Sequence, residues 1–208
     1  MASQKTIGAV LFEGFELLDV FGPLEAWGIY AEIAGACTIV TAAEKAGMVK
    51  SAQGPRAMAD YALADCPRID VLLVPGGIGT RREANNAALQ EWLRRRAAEA
   101  EIVTSVCTGA ALLARAGLLD GRRATSNKFV FKWVMEQGPA VDWIKHARWV
   151  EDGKFATSSG VTAGIDMTLA LIARLAGAET AERIAILMEY EWHRDPSRDP
   201  FAKIHGLV

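Results

Sequence analysis

Apolar residues along this chain fall into two rhythms: short unbroken runs, and longer stretches with helical spacing. Ile7-Gly8-Ala9-Val10-Leu11-Phe12 is a compact run closed by Glu13-Gly14 and predicts a first buried strand. From Leu17 to Ile33 the apolar positions recur at helical spacing, with Pro23 expected to be tolerable only near a helix start. Cys37 to Thr41 predicts a second strand. Met48 to Met58, interrupted by Gly54-Pro55, predicts a small hairpin. Ile69 to Val74 is another buried strand, ending at Pro75-Gly76-Gly77.

Ala87 to Ala100 is rich in good helix formers. The run Ile102 to Val106 then predicts a strand that stops at Cys107, followed by a helix from Thr108 to Ala116 closed by Gly117. A helix is expected from Asn127 to Glu136, ended by Gly138-Pro139. Glu151-Asp152-Gly153 predicts a hairpin turn between Ala147–Val150 and Lys154–Thr157. Helices follow at Thr162–Ala176 and Ala178–Tyr190, and the tail from Trp192 reads as irregular. Strands alternating with helices predict an α/β fold, a flavodoxin-like three-layer sandwich around a mostly parallel sheet. A length of 208 residues suits one domain spanning 1–208.

Composition narrows the function classes. A formal net charge of −2 gives no electrostatic case for nucleic acid or an anionic membrane. No apolar run is long enough to span a bilayer, and Met1-Ala2-Ser3-Gln4-Lys5 lacks the apolar core of a signal peptide, so a cytoplasmic location is expected. The 3 cysteines make neither a disulfide framework nor a zinc site. His146, His193 and His205 have no metal-ligand spacing, and Gly76-Gly77-Ile78-Gly79 lacks the Lys and Ser/Thr of a phosphate loop. Chemistry without a cofactor or metal is expected.

The candidate for that chemistry is Cys107. A free cysteine ordinarily packs as a small hydrophobe, and Cys37, within a predicted strand, fits that description. Cys107 differs because Ser105 and Gly109 flank it at i−2 and i+2, the spacing of a nucleophile elbow. Such a turn lifts its side chain above the sheet edge. There, unpaired N–H groups and the positive helix end would favour a thiolate.

Open α/β sheets bind ligands beyond the carboxyl ends of their strands. Phe12-Glu13-Gly14 with the following Asp19, Pro75-Gly76-Gly77 and Val106-Cys107-Thr108 all end strands and are expected to converge. Asp19 reads either as a helix cap or as a buried acid of raised pKa that relays a proton to Cys107. Gly76-Gly77 is a tight turn, or a turn whose N–H groups also form an oxyanion hole. Thr108 supplies a hydroxyl beside the nucleophile or caps the helix. Trp27, Phe129, Trp133 and Trp192 either line an apolar pocket or belong to the core.

With these residues in view, the chain resembles the ThiJ/PfpI superfamily, relatives of the class I glutamine amidotransferase fold. The resemblance rests on Leu18-Asp19-Val20-Phe21-Gly22-Pro23, Val74-Pro75-Gly76-Gly77, Ser105-Val106-Cys107-Thr108-Gly109-Ala110 and Ser159-Gly160-Val161-Thr162-Ala163-Gly164-Ile165-Asp166. It implies a reactive elbow cysteine contacted by an acid from the first strand–helix connection, and a homodimer acting on a small molecule. Within the superfamily the Asp19 acid and the Cys107-Thr108-Gly109 elbow look most like the isonitrile hydratase branch. The run Gly117 to Thr125 is also similar to the sensing domains of AraC-type regulators, whose helix-turn-helix region this length is expected to leave no room for.

Two departures bear on the chemistry. Thr108 stands where peptidase- and amidotransferase-like members carry His, and Asn127 stands at another common His position. The expected site therefore has Cys107, Asp19 and Thr108 as catalytic groups, with Gly76, Gly77, Ile78 and Asn127 binding substrate or oxyanion. Hydration of an isonitrile to an N-formamide through a Cys107 thioimidate is the reaction this resemblance implies. A redox or ligand sensor without turnover, and glyoxalase-type chemistry on small dicarbonyls, are the alternatives.

Overall fold

The computed structural model describes residues 5–35 and 37–208. Met1–Gln4, on which the expected lack of a leader rests, and Ala36, ahead of the second strand, lie outside the described residues. From the first strand, β1 (Lys5–Val10), a loop leads into α1 (Leu17–Ala34), and β2 (Cys37–Ala43) follows. β3 (Gly47–Lys50) and β4 (Arg56–Ala59) form the expected antiparallel hairpin, with Met48 opposite Met58. Next come β5 (Tyr61–Ala62), β6 (Val71–Val74), α2 (Thr80–Glu83), α3 (Ala87–Glu99), β7 (Ile102–Ser105) and α4 (Gly109–Arg115). The C-terminal part contains β8 (Arg123–Ala124), α5 (Phe131–Gln137), β9 (Asp142–Trp143), β10 (Trp149–Asp152), β11 (Phe155–Ser158), α6 (Ala163–Ala176), α7 (Ala178–Leu187) and α8 (Phe201–Ile204).

Seven strands form one sheet in the order β10-β11-β7-β6-β1-β2-β5, parallel except for the β10–β11 hairpin. The fold class expected from the alternating pattern is the one observed. Chain direction explains the layering. β1 to β2 steps one way along the sheet, whereas β6 to β7 to β11 steps the other. Right-handed crossovers therefore put α1 on one face and α3 and α4 on the opposite one. α6 and α7 join α1, and α5 packs on α4. The reversal falls between β1 and β6, which is where such sheets open a crevice at their carboxyl ends. Among the described residues, no helix is long and apolar enough to cross a membrane.

Some boundaries differ from the sequence reading. Pro23 lies inside α1 rather than at its start, and it removes the N–H that would bond the Asp19 carbonyl. The helix expected from Asn127 begins only at Phe131, because the Asn127 side chain accepts the Val130 N–H (3.2 Å) and holds a turn there. Gly117, at φ +75°, follows α4 in the left-handed conformation expected of a helix stop. The tail is irregular only up to α8. Buried Asp166 anchors it, pairing with Arg148 at 2.6 Å and accepting the His193 N–H at 2.9 Å.

The elbow depends on a close approach that only glycine permits. A Cβ on Gly109 would lie 2.2 Å from the Val74 carbonyl oxygen, so α4 can start directly against the end of β6. Gly109→Ala is expected to lower stability by about 1–3 kcal/mol through overpacking. Urea unfolding checks it, and an unchanged midpoint would contradict it.

Candidate active site

Cys107 sits in the turn between β7 and α4 with a φ of +55°, a conformation rarely adopted by a residue with a Cβ. Its backbone is pinned on both sides. The Cys107 N–H donates to the Ser159 carbonyl at 3.0 Å, and its own carbonyl accepts from Ser126 Oγ at 2.6 Å. These long-range bonds over-determine the strained turn and hold the thiol above the sheet edge. The side chain is 7% exposed.

The expected convergence of strand ends is present. Asp19 is fully buried within the first turn of α1, and its Oδ2 accepts the Gly76 N–H at 2.8 Å across the β1–β6 boundary. It caps nothing; the N-cap is Glu16, which makes no side-chain cap bond. Asp19 Oδ1 has no hydrogen-bond partner in the geometry of the described residues. Burial holds the Asp19 carboxyl well above the usual carboxylate range, against the lowering effect of the Gly76 N–H. The Asp19 charge opposes ionisation of Cys107, whereas the neighbouring thiol slightly favours ionisation of Asp19.

Here the structure corrects the expectation of a stabilised thiolate. Burial, and next the Asp19 charge, push the Cys107 thiol up rather than down, outweighing the Thr108 N–H and hydroxyl that favour the anion. Burial thus disfavours the charged form of both groups, and because the Asp19 charge raises Cys107, the two titrate as a coupled pair.

The glycine turn is also built differently from the expected oxyanion hole. The Gly76 N–H bonds Asp19, and the Gly77 N–H bonds Thr108 Oγ1 at 3.0 Å, so neither faces the sulfur unpartnered. Gly77 takes φ +112°, and a Cβ there would lie 2.4 Å from both the Glu16 nitrogen and the Gly14 carbonyl oxygen. These glycines lock the β1 and β6 loops together. The Ile78 N–H has no acceptor among the described residues, and its side chain is 66% exposed. Thr108 stands at the N-cap of α4 without a side-chain cap bond; its hydroxyl serves Gly77 instead.

Asn127 takes another place. Its Oδ1 holds Val130, and its Nδ2 lies over Gly160, where a Cβ would come within 2.7 Å. It lines a cleft of about 230 Å³ with Phe129, Phe201 and His205, and makes no hydrogen bond to Cys107 or Asp19. A larger cavity of about 340 Å³ lies by Phe12, Met48 and Glu83 and shares none of the thiol's partners. Trp27 is core, whereas Phe129 is exposed and rests beside His205. No metal-holding cluster of His, Cys, Asp or Glu occurs among the described residues.

Four further neighbours were not singled out from sequence. Ser126 fixes the elbow carbonyl, and Glu16 adds negative charge that raises both Asp19 and Cys107. Thr80 donates to the Gly77 carbonyl at 2.7 Å and lies 3.1 Å from the Thr108 hydroxyl. Arg81 reaches Thr80 Oγ1 at 3.3 Å, with its guanidinium 4.1 Å from the centroid of the Trp133 ring. A basic side chain directly after a glycine-rich strand-end loop was the available signal for Arg81.

Comparison with known proteins gives a consistent set of similarities. A model described as the DJ-1/PfpI family matches residues 5–174. Isonitrile hydratase of Pseudomonas putida is 34% identical over 186 residues, 88% of this chain and 78% of that protein. The HTH-type transcriptional regulator GbdR of Pseudomonas aeruginosa is 29% identical over 98% of this chain; the match spans only 56% of the regulator. The crystal structure of a ThiJ/PfpI family protein from Pseudomonas syringae superposes with a TM-score of 0.83 at 31% identity, covering 92% of this chain and 77% of that one.

Proposed function

This chain belongs to the DJ-1/PfpI family, and on that premise we propose that it hydrates an isonitrile to an N-formamide. The observation that carries the reading is the fully buried Asp19 carboxyl, with Oδ2 held by the Gly76 N–H and Oδ1 unpartnered among the described residues. Its burial favours the protonated form that can act as an acid. Cys107 sulfur, as thiolate, forms a bond to the terminal isonitrile carbon. The electron pair left on that carbon takes the Asp19 proton, giving a thioimidate. The Asp19 carboxylate then removes a proton from water as its oxygen adds to the same carbon, and that proton passes to nitrogen. Collapse of the adduct breaks the carbon–sulfur bond, and the hydroxyl proton returns to Asp19. One water is consumed, and the thiolate and protonated Asp19 are restored.

The Thr108 N–H, which bonds the Cys107 sulfur, is the donor in this reading, in place of the Gly76 and Gly77 N–H groups that Asp19 and Thr108 occupy. Thr108 Oγ1 fixes the Gly77 loop over the elbow. Small-molecule chemistry of this kind needs no histidine, in keeping with Thr108 and Asn127 at the positions discussed above.

Incubation with a simple alkyl isonitrile, followed by NMR, tests the reading. Formamide is expected, and in D2O its formyl carbon is expected to carry deuterium, because that hydrogen passes through the exchangeable acid–thiol pair. Absence of formamide would refute it. The redox-sensor alternative calls for an exposed thiol of low pKa. A thiol that is 7% exposed and pushed up by burial is poorly suited to that.

A further inference from the structure

We propose that Arg81, stacked on Trp133 beside the elbow, is an anion subsite that selects small substrates bearing a carboxylate near the carbon attacked by Cys107. For the identity of that carbon the inference rests on the hydratase reading; the anion subsite itself does not.

Arg81 is tied to the nucleophile by a short chain of contacts. Its Nη1 lies 3.3 Å from Thr80 Oγ1, Thr80 Oγ1 lies 3.1 Å from Thr108 Oγ1, and Thr108 follows Cys107. A charge on the Cys107 sulfur is felt at the guanidinium, which agrees with this placement. Arg81 makes no ion pair among the described residues, unlike its neighbour Arg82, which pairs with Glu83 at 2.6 Å. A partly buried guanidinium without a counter-ion is an unusual expense unless an anion visits it.

The stacking supplies the geometry. A guanidinium carries five N–H donors in one plane. The Arg81 Cζ lies 4.1 Å from the Trp133 ring centroid, and Nη1 donates to Thr80. Nε and Nη2 have no acceptor among the described residues and can supply the two parallel bonds that a carboxylate accepts. The Glu16 charge reaches the sulfur and disfavours a doubly charged phosphate more than a singly charged carboxylate. A single negative charge on a small body therefore fits best, with exposed Ile78 offering apolar contact on the same loop.

The test compares alkylation of Cys107 by iodoacetate and by its neutral isostere iodoacetamide, read on the Cys107 peptide by mass spectrometry. Both reagents attack the same sulfur, so a change in thiol pKa or in the looseness of the fold alters both rates alike. Only recognition of the carboxylate alters their ratio. The iodoacetate-to-iodoacetamide ratio at Cys107 is expected to exceed that of 2-mercaptoethanol by about tenfold, the scale of one charge-assisted bond. Arg81→Met is expected to abolish the excess, and Arg81→Lys to retain part of it. A wild-type ratio equal to that of mercaptoethanol overturns the proposal, as does an excess surviving in Arg81→Met. Failure of both reagents to label Cys107 also overturns it, since an open subsite must admit a two-carbon reagent. None of these readings depends on isonitrile turnover.

Discussion

Cys107→Ser is expected to reduce isonitrile hydration by at least about 10⁴-fold while leaving the fold intact. The substitution changes one atom in a turn whose φ of +55° is set by the Ser159 and Ser126 bonds, not by the sulfur. An alcohol ionises far less readily than a thiol, and Thr108 and Asn127 leave no histidine base beside it to activate it. Covalent catalysis would then be lost, leaving only binding and electrostatic effects. The check is formamide release together with intact mass after rapid acid quench. Wild type should carry an adduct of one isonitrile, and the serine variant none. Formamide production by Cys107→Ser near the wild-type rate would rule out the thioimidate.

Asp19→Asn is expected to slow turnover by about 10²–10⁴-fold, the usual reach of a positioned general acid. It is also expected to raise stability at neutral pH. The sign follows from the raised folded-state pKa of Asp19. Below the unfolded value, about 3.9, folded and unfolded chains are both protonated and the group contributes no penalty. As pH rises from there through the folded value, the unfolded chain ionises first, and stability falls. Asparagine can still accept the Gly76 N–H but has no proton to lose. Denaturation midpoints of the two proteins should therefore converge toward about pH 4 and separate as pH rises, with Asn the more stable. A wild type more stable than Asp19→Asn at pH 7 would show that the carboxyl is ionised in the folded protein. The proton-donor role would then fall.

The site was legible in unequal parts. Cys107 stood out because small residues at i±2 announce a sharp turn, and Gly109 is small for a reason now visible, the Val74 carbonyl 2.2 Å from its missing Cβ. The meeting of three strand ends was expected because open α/β sheets gather their sites beyond the strands' carboxyl ends. β5, β8 and β9, of two residues each, and the single-turn helix α2 went unread because they are too short to show a strand or helix period. The four-residue sheet strands stood out instead as unbroken apolar or turn-bounded runs. Arg81 was missed because its partner Trp133 belongs to a different helix, and nothing local marks the pairing.

By itself, the sequence determined the order of strands and helices, the parallel sheet and the position of the thiol at a strand–helix turn. Those features depend on the hydrophobic period and on neighbours within a few residues. Only the tertiary structure decided the burial of the site's acid and thiol, which raises both pKa values, and the occupancy of its N–H groups. The Gly76 N–H reaches Asp19 across 57 positions, and the Gly77 N–H reaches Thr108 across 31. Burial and such distant bonds set the free energy of a charge, so a cysteine that local rules would ionise is pushed toward its neutral form instead.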